Sequence, residues 1–386
     1  MPDFDICITG AGCAGLSLLV RILAAPSLQH KRILLVDKGL KIVNDRTWCY
    51  WEKGEGFFEK IVHRKWSKLW FHDDDQSRLM DTAPYLYKMI RGIDFYNYCF
   101  DRIRSFNNVR FATGDVQGLH SGPEETYVLI DGKKIGARHI FNSIPFERET
   151  DQPGDWRLLQ HFKGWVIRSL RPAFTPGEAT IMDFRTSQDL GTCFFYVLPF
   201  SADQALVECT FFSEQAFPEA AYTELLTGYL SRILGIKDYV ILEKEVGVIP
   251  MTTARVPSGT VNVTPIGTAA GLTKPSTGYT FKFIQDDSDR IVQSLVEGKL
   301  PVRRAMGARF GLYDRILLNI LVTKKLSGRQ VFSSLFRKAE LPDILAFLDN
   351  ASSPSQDWRI IRSLPTKPFF YAMCRELFKS GVPASA

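Results

Sequence analysis

The sequence predicts an α/β fold: a nucleotide-binding domain that opens with a βαβ unit, an antiparallel β-sheet domain set on it, and a helical C-terminal region. Three observations predict it. Gly10, Gly12 and Gly15 stand in the run Ile8-Thr9-Gly10-Ala11-Gly12-Cys13-Ala14-Gly15, between an extended apolar segment and an apolar helix. Four β-rich runs separated by polar breaks crowd into residues 155–250. A second glycine-rich stretch then leads from Val263 into another helix.

The first unit spans residues 3–37 and reads as strand, turn, helix, strand. The tight turn needs Gly10, close approach of a pyrophosphate needs Gly12, and packing of helix on strand needs Gly15. The helix N-terminus then faces the anion. The second strand, Lys31–Asp37, ends in an acid placed for a ribose hydroxyl. Asn44–Glu52 is expected as a polar and aromatic loop, and Ile93–Arg104 as a helix. Asn108–Thr113, Thr126–Ile130 and Ala137–Asn142 read as strands, the last returning to the nucleotide sheet. Gly164–Leu170, Ala179–Phe184, Cys193–Leu198 and Ala205–Phe212 supply the antiparallel sheet, followed by a helix at 219–234 and a strand at Val240–Val248. Its aromatic richness suggests a wall for a flat or elongated apolar ligand. The second glycine loop, Thr264–Tyr279, suits phosphate or ribityl contact through backbone amides, and a dinucleotide as long as FAD needs both loops. Residues 299–386 read helical, punctuated by Pro301, Pro342, Pro365 and Pro368.

Composition bounds the rest. At 386 residues the chain exceeds the usual single core, so more than one domain is expected. Apolar content of 45% and charged content of 23% are ordinary for a soluble globular protein. No run is long and apolar enough to span a bilayer, and no secretory signal is visible. Seven cysteines without regular spacing fit free thiols in a reducing compartment, and six scattered histidines give a metal site little support. Net charge is +6, concentrated in residues 299–338, where ten Lys or Arg face one acid, Asp314. Interleaved there are Phe310, Leu312, Ile316, Leu317, Leu318, Ile320, Leu321, Val331, Phe332, Leu335 and Phe336. That mixture suits an anionic membrane surface or, equally, a solvated basic face on a helical subdomain. No nucleic-acid motif is present.

Four runs carry a family resemblance: GAGCAGLSL at 10–18, DRTWCYWE at 45–52, LPFSADQALVE at 198–208 and IGTAAGLTKPSTGYTF at 266–281. In order and spacing the chain resembles the flavin-dependent lycopene β-cyclases of carotenoid-making bacteria over nearly its whole length. The resemblance implies a glutathione-reductase-like FAD-binding Rossmann domain with an antiparallel substrate domain. It also implies conversion of lycopene through γ-carotene to β-carotene, an isomerisation that uses reduced FAD with NADPH as reductant. The implied division assigns 1–60, 100–150 and 255–300 to FAD, 61–99 and 151–254 to substrate, and 301–386 to a helical region with possible membrane contact. The implied location is cytoplasmic, peripheral to the inner membrane. Candidate cofactor contacts are Gly10, Gly12, Cys13, Ala14, Gly15, Asp37, Lys38 and Arg46 in the first half. Gly267, Ala270, Gly271, Thr277, Gly278 and Tyr279 are the candidates in the second. Gly267-Thr268 stands where many flavin oxidoreductases carry Gly-Asp, a position that also varies among the cyclases and so does not count against flavin binding; the departure that matters is Glu208 followed by Cys209, where the family commonly shows two adjacent acids.

Cyclising a polyene end requires a proton on its terminal double bond, attack of the next double bond on the resulting cation, and loss of a proton. A carboxylic acid in an apolar cleft is kept protonated by desolvation. Glu208, inside the alternation Ala205–Phe211, is the candidate donor; its structural alternative is an acid on the solvent face of an edge strand. An anionic reduced flavin about 4 Å from the cation is worth roughly 4 kcal/mol at an effective dielectric of 20. Aromatic faces add about 0.5–2 kcal/mol each, with Trp48, Tyr50, Trp51, Phe194, Phe195 and Tyr196 as candidate lining residues. Arg46 and Glu52 are a candidate ion pair, and Lys274 is either a flavin-stabilising cation or a surface lysine. His72–Asp75 and Asp286–Asp289 read as a solvated turn and a helix face rather than metal or diphosphate ligands. Competing functions are an FAD-dependent isoprenoid reductase or monooxygenase, and a non-catalytic carotenoid carrier.

Overall fold

A computed structural model describes residues 2–146, 154–254, 256, 259–301 and 307–379. The chain opens with β1 (Phe4–Thr9), α1 (Cys13–Ala24) and β2 (Ile33–Asp37). Apolar side chains fill both faces of these strands, as a parallel strand covered on both sides requires. Ser17 and Arg21 are buried polar residues on α1. The Arg21 guanidinium bonds Asp289 at 2.5 Å and Gln285 at 2.9 Å, tying α1 to the later helix that packs beside it.

Next come β3 (Thr47–Glu52), β4 (Arg64–Trp66), β5 (Lys68–His72), β6 (Ser77–Asp81), β7 (Leu86–Arg91) and α2 (Gly92–Ile103). The expected loop at 44–52 is therefore largely a strand, because Thr47–Glu52 pairs residue for residue with β7. Phe95, Tyr96 and Cys99 of α2 pack into the nucleotide-side core with α1, rather than with the second sheet as the 61–99 division expected. Then follow β8 (Val109–Thr113), β9 (Val116–Ser121), β10 (Thr126–Ile130) and β11 (Lys133–Asn142). Together with β17 (Val263–Pro265), the parallel strands run β8-β2-β1-β11-β17, and β10 and β9 continue antiparallel from β11.

The second sheet is built from β12 (Arg157–Ser169), β13 (Glu178–Asp183), β14 (Thr192–Pro199), β15 (Gln204–Ser213) and β16 (Tyr239–Thr252), with β5 and β6. Its order is β16-β12-β15-β14-β13-β5-β6. All pairs are antiparallel except β13 with β5, a parallel join the antiparallel expectation missed. Along β14 and β15 alternate side chains face opposite sides. Cys193, Phe195, Val197, Val207, Cys209 and Phe211 pack under α3 (Glu219–Arg232), while Phe194, Leu198, Leu206 and Phe212 face the large central core.

After β17 the second glycine loop turns into α4 (Phe281–Val296), which lies against α1. Five more helices close the chain: α5 (Ala308–Val322), α6 (Gly328–Lys338), α7 (Leu341–Leu348), α8 (Pro354–Ser363) and α9 (Thr366–Lys379). Ser327 and Ser353 cap α6 and α8, each with a reciprocating Gln three residues on. Of the apolar residues of 310–336 expected as lipid contacts, all are buried except Leu312 and Leu317, which are half-buried; Phe332, Leu335 and Phe336 lie in the central core. Four of their basic neighbours are ion-paired: Arg309 with Asp357, Arg315 with Glu376, Arg329 with Asp74 and Arg337 with Asp75. Lys324, Lys325 and Lys338 are exposed, and Arg303 and Arg304 lie outside the described residues. No helix among the described residues is long and apolar enough to cross a membrane.

Candidate active site

The first glycine turn has the shape a dinucleotide requires. Gly10 has φ +92°, and a Cβ there would stand 2.1 Å from Ser143 Oγ. A Cβ on Gly15 would stand 2.0 Å from the Gly10 carbonyl oxygen, so only glycine lets helix and strand meet. Gly12 is different: a Cβ there would meet nothing within 4 Å, and the residue opens α1 with no side-chain cap. Its amide end faces free space, where an anion is stabilised by the helix terminus. Asp37 ends β2 as expected, but its carboxylate accepts from Ala11 N at 2.7 Å and Gly39 N at 3.1 Å, so it also fixes the turn. Cys13 and Ala14 begin α1; burial pushes the Cys13 thiol up to about 12, which keeps it neutral. Lys38 is exposed.

The second loop closes on the first. Gly267 has φ +61°, and a Cβ there would lie 2.6 Å from the Ala14 Cβ, placing Gly267, Ala270 and Gly271 against the start of α1. Beyond them, Thr277, Gly278 and Tyr279 lead into the N-terminus of α4. The Thr277 hydroxyl and the Gln160 amide oxygen, which lies against Gly278, are buried with no hydrogen-bond partner. Two uncapped helix starts, an open Gly12 and two orphaned polar atoms at the second loop fit the groups of a dinucleotide cofactor. Lys274 is not the surface lysine that was one of its two expectations. It is buried, and its ammonium reaches Asp314 at 2.9 Å and Asn350 at 2.7 Å, anchoring the loop to the helical region.

Glu208 lies on β15, an interior strand between β12 and β14, on the same face as Leu206 and Phe212. The edge-strand alternative is therefore excluded, and the half-buried carboxyl stands on the core face of the sheet. Tyr196 of β14 pairs opposite Glu208, and on the other side Gly164 of β12 pairs with both Glu208 and Glu245 of β16. The row reads Tyr196, Glu208, Gly164, Glu245. Thr210 Oγ1 donates to Glu208 at 2.8 Å, and Thr47 Oγ1 donates to Glu245 at 2.7 Å. Burial first, then the neighbouring Glu245 charge, push Glu208 well above the ordinary carboxylate range. Burial also raises Glu245, although its hydrogen bonds to Glu208 and Thr47 act the other way. The pair thus holds a proton to a higher pH than an exposed carboxyl.

Around the pair stand Cys49, Tyr87, Tyr196 and Tyr279, all neutral because burial drives their ionisation upward; Tyr279 is pushed up to about 12. Trp51 meets Tyr279 edge-on with centroids 4.7 Å apart. Of the expected lining residues, Trp51, Phe194 and Tyr196 face this core. Trp48 and Tyr50 do not: strand alternation turns them onto Phe281 in the nucleotide-side core, at 5.9 and 4.6 Å. Phe195 is likewise turned away, under α3. Arg46 pairs with its neighbour Asp45 at 3.0 Å rather than with Glu52, which bonds the buried Lys88 at 3.1 Å. A second acid stands beside Glu208 across Gly164: Glu245, which belongs to a strand distant in sequence and carries no local signal. Thr47, Cys49, Tyr87 and Gly164 were missed for the same reason.

A family model described as lycopene cyclase protein matches residues 5–374. The chain is 27% identical over 338 residues to a chloroplastic neoxanthin synthase of Solanum lycopersicum, aligning 81% of this chain but 64% of that protein. It thus spans less than two thirds of that relative's length. It is 24% identical over 302 residues to the lycopene beta-cyclase of Pantoea ananas, covering 75% of this chain and 74% of that one. Its fold is similar to a geranylgeranyl bacteriochlorophyll reductase-like protein of Thermoplasma acidophilum, with TM-score 0.58, 10% identity and coverage of 97% and 98%. A flavoprotein/dehydrogenase of Cytophaga hutchinsonii superposes with TM-score 0.61, 10% identity and coverage of 97% and 100%. The match of the family model along nearly the whole sequence shows that the chain belongs to the lycopene cyclase family.

Proposed function

We propose that this protein is an FAD-dependent lycopene β-cyclase, an isomerase that closes β-rings on lycopene, through γ-carotene, to give β-carotene. The observation that carries the reading is Glu208: an acid on the inner face of an interior strand, among aromatic side chains, with its proton held by burial. The two glycine loops would hold FAD; in its reduced form, with NADPH as reductant, the flavin supplies negative charge beside a carbocation.

The chain's own residues account for the rest. Glu208 Oε–H gives its proton to the terminal alkene, and the core around Trp51, Phe194 and Tyr196 excludes the water that would trap the cation. The aromatic faces stabilise positive charge as it migrates into the ring. After ring closure a proton leaves the carbon next to the cation, so no electrons are gained or lost. Access for so apolar a substrate fits peripheral attachment to a membrane surface from the cytoplasm, and α9 exposes Phe370, Tyr371, Leu377 and Phe378 for it.

A reductase or monooxygenase would share the fold, and a carrier would share the apolar core. Neither needs a protonated carboxyl at this place. The test is expression in lycopene-accumulating cells followed by pigment chromatography. The native chain converts lycopene to β-carotene, and Glu208→Gln loses at least about a hundredfold in rate, the scale of a missing general acid. Unchanged lycopene with the native chain overturns the cyclase reading; a fully active variant overturns the role of Glu208.

A further inference from the structure

Glu245 is the half-buried acid of the site that the expected chemistry leaves unused. Both it and Glu208 register against Gly164, one from each neighbouring strand, so β12 puts no side chain of its own between them, and the Leu206 side chain packs over the same glycine. A Cβ at Gly164 would lie 2.9 Å from Leu206 Cδ1, 3.0 Å from Glu245 Cγ and 3.1 Å from Glu245 Oε1. Glu245 Oε1 therefore hangs over Gly164, on the side of Glu208. The hydroxyl donors occupy the other positions: Thr47 serves Glu245 Oε2, and Thr210 serves Glu208 Oε1. Neither carboxyl forms a salt bridge among the described residues.

We propose that Glu208 and Glu245 share one proton across Gly164, and that Glu245 is the positioning residue that returns Glu208 to its protonated form after each ring closure. This rests on the reading of Glu208 as proton donor. In the step, the Glu208 O–H bond breaks and a C–H bond forms at the alkene, leaving two carboxylates side by side beside the new cation. That doubled negative charge both stabilises the cation and makes the emptied pair a stronger base than one carboxylate. The ring carbon that receives the proton and the one that later loses one are bonded to the same ring atom. Glu208 is thus in place to take back the departing proton, which then spans the pair; one proton leaves, one returns, and no electrons move.

The groups facing the pair leave it free to do this. From β3 come Thr47 and Cys49, from β7 Tyr87, from β14 Tyr196, from β15 Thr210 with Cys209 on the reverse face, and from the second glycine loop Tyr279. On β16 itself Glu243 adds a further negative charge, accepting from Asn44 at 2.7 Å. The thiols and phenols around the pair all have ionisation driven upward by burial, so they stay neutral while the carboxyls titrate.

The test uses the full chain with its flavin. Glu245→Gln removes the charge that raises Glu208, so the alkaline limb of the kcat–pH profile moves down by about one unit or more. Its kcat falls at least about tenfold with KM changed by less than about twofold, because substrate binding is untouched. Glu245→Asp restores the limb. A second measurement needs no substrate: in pH-difference infrared spectra, the carbonyl band of a protonated carboxyl is absent in Glu208→Gln and titrates at lower pH in Glu245→Gln. Gly164→Ala, which keeps both acids but puts a methyl group between them, shifts the same band in the same direction and covers the case in which Glu245→Gln folds poorly. A band and a limb unchanged from the native protein in Glu245→Gln overturn the shared proton. If Glu208→Gln is inactive at the same time, the donor assignment survives and only the pairing falls.

Discussion

Phe195 stacks flat on Tyr229, ring centroids 3.9 Å apart and planes within 3°, on the far side of the sheet from Glu208. Its neighbours Phe194 and Tyr196 face the site. One strand therefore splits three consecutive aromatic residues between a helix-packed core and the candidate reaction space.

This split gives a direct contrast. Phe195→Ala removes a fully buried ring and costs about 3–5 kcal/mol of stability, yet product formed per folded protein stays at the native level. Thermal unfolding together with pigment yield normalised to soluble protein measures both. A Phe195→Ala protein that keeps its stability but loses cyclisation would place that ring in the reaction space after all.

The same parity explains what could be read from the sequence and what could not. The first βαβ unit, both glycine loops and the strand bearing Glu208 were legible because turn glycines and alternating apolar residues are local signals. Trp48 and Tyr50 fall on the opposite side from the one expected, because a loop, the form expected of 44–52, has no alternation to sort its side chains. Glu245 was invisible for another reason. Nothing in the run Glu243-Lys244-Glu245 distinguishes its two acids; only the register through β12 brings the second beside Glu208. Lys274 likewise reads as a loop lysine until Asp314, on α5, closes over it.

The glycines of the first turn separate folding from cofactor binding. Gly15→Val forces a side chain into the Gly10 carbonyl, 2.0 Å from the first added carbon, and is expected to yield little folded protein. Gly12 has φ −86° and free space around it, so Gly12→Val folds. Its side chain then occupies the approach to the α1 amides. The expected outcome is a native thermal transition with the flavin absorbance lost after purification. Retention of full flavin by Gly12→Val would mean that the pyrophosphate does not rest on this turn.

The dependence of stability on pH carries two opposing contributions, and one variant separates them. Burial lowers His63, His139 and His161 from an ordinary 6.5 to about 4 each, with Arg91 and Arg64 adding to the effect at His63. His161 is held on both ring nitrogens, by Ser213 at 2.6 Å and Tyr222 at 2.5 Å. The unfolded chain therefore binds more protons than the folded one between these values, and histidine-linked stability is lost as pH falls from 6.5 toward 4. Glu208, Glu245 and Asp349 have the opposite sign. Their folded forms bind protons more tightly, with Asp349 raised to about 7, so their contribution weakens as pH rises above the ordinary carboxylate range. In the native protein the two sets offset each other, and urea unfolding at pH 5 and pH 7 should give similar midpoints. Glu208→Gln removes part of the second set. The variant should be more stable than the native protein at pH 7, where a buried carboxyl is most costly, and should lose stability more steeply on acidification. A Glu208→Gln protein less stable at pH 7, or one whose profile runs parallel to the native curve, would mean that this carboxyl is not held protonated by its burial.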